Sequence, residues 1–264
     1  GTQGDLAKFV SVDGADPQSM TVESRQLCLE GLVHGKRYEV QVRSGLPSDT
    51  GEQLTRTAEM SISVRDRAAS VRFTGRAYVL PSRGQQGIPV VTINTAKVAA
   101  EIYRIGDRAL AGAAQGDNFL KHLGSYDIEQ VREKSGQRVW KGELAVTERR
   151  NEEVTTALAI GEAVPKLEPG VYILSASVPK RASSDDGDDE SGNGNGARAT
   201  QWFIVSDFGM TALTGGDGLH AFVRSLASAA PVANVTVRLV ARNSEVLGSG
   251  TTDAQGYARF PAAL

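Results

Sequence analysis

A lone thiol, three scattered imidazoles and one dense acidic run are the residues here whose chemistry could be put to work. Cys28 is the only cysteine, so no internal disulfide is possible. A thiol nucleophile needs an imidazole base held by a third group, and no His with Asn or Asp stands around Cys28 in such a signature. Cys28 therefore reads as a small buried apolar residue of a strand. His34, His122 and His220 fall in a turn, a short helix and a strand, and no spacing brings them together as metal ligands. Ser44, Asp49 and His34 supply the residue types of a catalytic triad without a G-x-S-x-G elbow. Gly215-Gly216-Asp217-Gly218 sits at a strand entry instead of between a strand and a helix, which argues against a phosphate loop.

The acidic run Asp185, Asp186, Asp188, Asp189 and Glu190 lies within Arg181–Arg198, RASSDDGDDESGNGNGAR. Calcium favours clustered carboxylate oxygens, but the register and late bidentate glutamate of an EF-hand-like loop are missing. The stretch holds no large apolar residue to offset its ordering entropy. It is expected to be a mobile insertion between two antiparallel strands, cleavable by accident of exposure. Catalytic, cofactor-binding and metal residues are each assigned as none.

The segments that would position these groups alternate with the period of β-strands. Tyr38, Val40 and Val42 point one way and Arg37, Glu39, Gln41 and Arg43 the other. Met60, Ile62 and Val64 repeat the pattern after a Ser48–Gly51 turn. A strand at Val71–Phe73 and a Pro/Gly-rich loop at 81–87 precede one long extended stretch, Ile88–Ile105, with Val98, Ala100 and Ile102 on one face. Asp117–Leu123 breaks the rhythm: Asp117 can cap a short helix, Phe119, Leu120 and Leu123 share a side, and Gly124 can end it. Strands resume at 138–144, 154–160, 171–178 and 200–205. In the last segment Val235, Val237 and Leu239 share a face. Asp253-Ala254-Gln255-Gly256 is a turn, and Ala258 and Phe260 return inward.

The totals exclude several classes. Lys and Arg number 29 against 31 Asp and Glu, so no basic field attracts nucleic acid or anionic lipid. No apolar run approaches the ~18 residues of a membrane span. Neither a signal peptide nor a lipidation motif is visible. At 40% hydrophobic and 6% aromatic, the cores are expected to be Val, Ala, Leu and Ile. The 264 residues suit two sandwich modules and part of a third, and the chain reads as a piece of a longer polypeptide. The divisions are 1–67, an N-terminal β domain; 68–206, a β-sandwich with the loop 181–198; and 207–264, the start of a further domain. The fold class is all-β: tandem antiparallel β-sandwich modules, with one short helix in the second.

Three stretches, LCLEGLVHGKRYEVQVRSGLPSDTGEQL, GRAYVLPSRGQQGIPVVTIN and DGLHAFVRSL with TTDAQGYARF, resemble the bacterial α2-macroglobulin family. The resemblance spans nearly the whole chain and implies macroglobulin-like domains. It also implies a broad protease inhibitor of the periplasm, anchored at the inner membrane through a lipidated N-terminus outside these residues. Implied partners are proteases, captured through the full-length protein, and a peptidoglycan-synthesising penicillin-binding protein; no cofactor is implied. The family's thioester joins a Cys to a Gln three residues on, in C-x-E-Q. Here Cys28-Leu29-Glu30 is followed by Gly31, so no thioester can close, and the bait region belongs further along the polypeptide. The chain is then non-catalytic scaffold. Two other readings stay open: an Ig-like adhesin or surface array, and a carbohydrate-binding module. The second needs an exposed aromatic platform, for which only Trp140 and Trp202 are available.

Overall fold

The computed structural model describes residues 8–14, 19–23, 26–48, 50–82, 87–179, 197–241 and 243–262, and it falls into two compact units. The first comprises residues 1–68 with 150–152, the second residues 69–149 and 153–264. Asp49 and the acidic run 185–190 lie outside the described residues.

In the first unit, β1 (Val10–Asp13), β4 (Arg37–Val42) and β5 (Ala58–Ser63) form a three-stranded sheet in the order β1-β4-β5. The alternation in β4 turns Tyr38 and Val40 inward, where they meet Val10 and Val12 in a small core. The hairpin of β2 (Ser19–Glu23) and β3 (Gln26–Glu30) pairs separately, with Thr21 opposite Cys28. Met60 faces the same way as Val40, its cross-strand partner, yet it is 49% exposed on β5, the edge strand of the sheet.

The second unit is built on a five-stranded sheet ordered β10-β9-β12-β13-β7, from β10 (Gly136–Ala145), β9 (Lys97–Ile105), β12 (Gly170–Ser177), β13 (Arg198–Val205) and β7 (Ala77–Leu80). Against it lies β11 (Val154–Ala159), β8 (Gly87–Ile93) and β6 (Ser70–Phe73). Between the sheets, Val98, Ala100, Ile102, Leu174 and Phe203 pack with Ile88, Val90 and Leu158, all nearly water-free. This is a sandwich core of facing alternate residues. The insertion after Ser177 does join antiparallel neighbours, since β12 pairs with β13 along its length.

Two expectations are corrected. Ile88–Ile105 is not one stretch: the chain leaves β8, turns at Asn94 (φ 49°), and enters β9 in the opposing sheet. A left-handed Asn supplies the corner, and Thr95 Oγ1 donates to Lys97 O at 2.7 Å to fix it. Nor is there one short helix at Asp117–Leu123. That segment is a set of turns, with Leu120 at φ 57° breaking the helical path. Helices flank it instead: α1 (Asp107–Gln115), and α2 (Ser125–Gln130) running into a π-turn at Val131–Ser135, with α3 (Ile160–Ala163) further on. Gly124 precedes α2 as its N-cap instead of closing a helix, and its N–H donates to Asp127 Oδ2 at 3.3 Å. The spacing of Phe119, Leu120 and Leu123 puts them in a second core, and a turn satisfies it as well as a helix does. Phe119 meets Trp202 edge-to-face at 5.2 Å, and Leu123 joins Tyr103, Ile105, Ile128 and Ile173 in this core on the outer face of the sheet.

Residues 207–264 add β14 (Phe208–Gly215), β15 (Gly218–Ser225) and β18 (Tyr257–Pro261) in one sheet, with a hairpin of β16 (Thr236–Val240) and β17 (Val246–Thr251). Ala221, Val223, Val237, Ala258 and Phe260 form their core. The 253–256 turn takes the expected form. Asp253 Oδ1 accepts from Gln255 and Tyr257 N–H at 2.9 and 3.0 Å, and Gly256 sits at φ 71°.

Candidate functional site

Among the described residues, those singled out in the sequence do not converge. Cys28 is a free thiol in β3 and is half-buried, not the fully buried strand residue expected. His34 is exposed and its Nδ1 lies 3.0 Å from Arg65 O. His122 stands in the turns before α2 instead of a helix. Its Nδ1 accepts from Thr200 N–H at 3.2 Å, which places the ring proton on Nε2. His220, in β15, bonds Tyr257 OH through Nδ1 at 2.8 Å and Asp217 Oδ1 through Nε2 at 2.9 Å. Ser44 donates its N–H to Thr57 Oγ1 and has no contact with His34 among the bonds described. Among the described residues, no three of His, Cys, Asp and Glu are grouped to hold a metal ion.

The Asp217–His220–Tyr257 line has the order of an acyl-transfer relay, but its hydroxyl is a phenol stacked on the same imidazole. Arg259, which pairs with His220 across the strands, also reaches Asp217 at 3.2 Å. The hydrogen bond from His220 is the leading cause that holds the Asp217 carboxyl below the usual range. Gly215-Gly216-Asp217-Gly218 is the reversal between β14 and β15, and this bonding ties it to β18.

The most organised group of charges is one the sequence reading missed. On the outer face of β9, Glu101 and Tyr103 stand two residues apart, beside the helix-covered core. Tyr103 O–H and Arg132 Nη2 donate to Glu101 Oε2, the latter at 2.8 Å. Lys141, directly opposite on β10, comes within 3.1 Å of Oε1, and Arg138 within 3.8 Å. Arg132 Nε donates to Tyr103 OH at 3.0 Å and Nη1 to Glu129 at 3.1 Å. Burial alone would raise the Glu101 carboxyl, since its side chain is only 15% exposed. The hydrogen bonds from Tyr103, Arg132 and Lys141 outweigh that and bring it down to about 2. A carboxyl so acidic stays ionised near neutrality and has no proton to give, so the group is a clamp. It fixes the π-turn carrying Arg132 onto β9 and β10. The only sequence signal was the polar side of β9, where Glu101 and Tyr103 alternate with the apolar residues.

Comparisons with known proteins agree with this architecture. Residues 72–183 match the profile of the bacterial alpha-2-macroglobulin MG2 domain, and residues 205–264 that of the bacterial alpha-2-macroglobulin MG3 domain. An alpha-2-macroglobulin of Xylella fastidiosa (strain 9a5c) is 26% identical over 249 residues, 91% of this chain and 14% of its own. The structure of native alpha-2-macroglobulin from Escherichia coli spanning domains MG0-NIE-MG1 has a TM-score of 0.54 at 22% identity, covering 97% of this chain and 80% of that one. Salmonella alpha-2-macroglobulin reacted with methylamine gives 0.67 at 21% identity, over 98% of this chain and 15% of that one. The chain spans about one seventh of the length of the curated relatives it matches. Tandem β-sandwich-like modules, two matched macroglobulin domains and relatives along nearly the full sequence lead to one conclusion: the chain is homologous to the MG domains of bacterial alpha-2-macroglobulins.

Proposed function

We propose that these residues are non-catalytic framework in a periplasmic protease inhibitor. In this reading, cleavage of a bait segment elsewhere triggers rearrangement, a thioester elsewhere captures the protease, and modules such as these hold the surrounding cage. The observation that carries it is Cys28. Its thiol sits in a paired strand, and Gly31 stands where the amide donor of a thioester would be.

The exposed apolar side chains support a scaffold role. Phe208, Met210, Leu213, Leu226, Val240, Val246 and Leu247 are all more than a third exposed, and they crowd into residues 207–264. Surface of this kind marks contact with further protein. A periplasmic setting, a lipidated tether and the penicillin-binding partner belong to the same reading. The adhesin and carbohydrate-module alternatives gain no observation; Trp202 in particular is buried and unavailable as a sugar platform.

The test uses the full-length gene product that carries these residues. Its ability to shield a large casein substrate from trypsin is measured with the wild-type sequence and with Cys28→Ser. Equal protection by both is expected. Loss of protection in Cys28→Ser alone would overturn the assignment, as would failure of the full-length protein to inhibit.

A further inference from the structure

The strand that follows the insertion, β13, is flanked at its start by turns and not by a strand. β7 pairs with it only from Trp202 to Val205, so among the described residues the edge at 198–201 has no strand neighbour on that side. The Thr200 N–H points to that edge and is met by an imidazole, His122 Nδ1, where a neighbouring strand would offer a carbonyl. Strand alternation puts the main-chain groups of Arg198 on the same edge. The wall opposite is held firmly, because Thr200 Oγ1 accepts from Leu123 N–H at 2.6 Å and approaches Leu123 O at 3.3 Å.

Beside this edge a cavity of about 540 Å³ opens, within the range of ligand pockets. Val71 and Phe73 give it an apolar side; Arg72, Arg76, Lys121 and Arg198 give it charge, and among the described residues no carboxylate lines it. Arg72 is already held by Glu153 at 2.7 Å. The Arg76 and Lys121 side chains make no ion pair among the described residues. Arg198 Nε is buried without a hydrogen-bond partner among them. A buried donor left open is a cost that an incoming acceptor removes.

We propose that this cavity binds an extended peptide segment bearing carboxylates, which lies along β13 from Arg198 to Thr200 and places an acidic side chain against Arg198, Arg76 and Lys121. A strand edge whose Thr200 N–H is met by a side chain and not by a neighbouring strand distinguishes this ligand from a free anion. Main-chain bonding would supply affinity, and the cationic cavity would select acidic sequences. The His122 ring, which now occupies part of the edge, is the group such a strand displaces.

The probe is a fluorescein-labelled hexaglutamate peptide titrated into the 264-residue chain at low salt, with hexaserine and hexalysine as controls. Hexaglutamate should bind and the controls should not. Arg198→Gln combined with Lys121→Gln should weaken binding at least about tenfold, and raising salt several-fold should weaken it further. Amide exchange at Arg198 and Thr200 should slow on binding, a readout that a purely ionic surface contact would not move. Arg76→Gln, on an exposed residue, provides the same test without risk to folding, and circular dichroism checks each variant. Unchanged affinity in the folded variants would overturn the proposal. So would competition by inorganic phosphate as effective as by the peptide, or binding without amide protection at β13.

Discussion

Two basic clusters border the same five-stranded sheet, and they differ in one respect. Around Glu101, the cations Arg132, Arg138 and Lys141 converge on a single carboxylate and a phenol, so the charge is spent inside the fold. At the start of β13, Arg76, Lys121 and Arg198 meet no carboxylate of the described residues in the cavity they line. Arg198 stands between them, lining this cavity and a second one of about 250 Å³ that reaches Glu101. Residue types alone would give both clusters the same role. The anion decides: where it is built in, the cluster holds structure together, and where no described residue supplies one, the proposed acidic segment would.

The comparison can be broken most forcefully at its anion. Glu101→Ala leaves three cations facing one another beside a core, and it should cost about 2–4 kcal/mol in equilibrium urea unfolding. A cost under half a kcal/mol would show that the clamp is ornamental. Acid should dissolve the clamp without mutation. The folded carboxyl titrates at about 2, below its ordinary value of 4.5. Its contribution is therefore complete above pH 4.5 and is lost as pH falls through 2. After allowance for screening around partly exposed Arg132, the loss is about 1–2 kcal/mol. Guanidinium unfolding at pH 5 and pH 2 should show it in the wild type, and Glu101→Gln should lack that component. Tyr103→Phe removes one donor and keeps the ring, so a loss of about 1 kcal/mol is expected by the same assay. At the other cluster, Arg198→Leu should change stability by no more than about 0.5 kcal/mol, or raise it, because it removes an unpaired buried donor. Losses similar to those at Glu101 would erase the distinction.

Period-two alternation was legible wherever one side of a strand faces a core. Val98, Ala100 and Ile102 are buried as their spacing requires, and so are Tyr38, Val40, Ala258 and Phe260. Turn chemistry was equally plain at Asp253–Gly256, where side-chain and backbone preferences act locally. The Asn94 corner was not legible, since Ile88–Ile93 and Lys97–Ile105 are both strand-like and a change of sheet depends on what each packs against. The helix was placed in the wrong segment because Phe119, Leu120 and Leu123 mark burial without specifying the backbone that achieves it. The Glu101 clamp was missed for a related reason. Arg132 comes from a π-turn 31 residues away and Lys141 from a neighbouring strand, and no local spacing records such pairings.

The proposed framework role gives this chain geometry and no covalent chemistry of its own. It is tested most directly by mixing the 264-residue chain with trypsin and separating the products on a denaturing, non-reducing gel. Cleavage fragments only are expected, with the same pattern for Cys28→Ser. A band of chain joined to protease that survives denaturation, and disappears in Cys28→Ser, would contradict it.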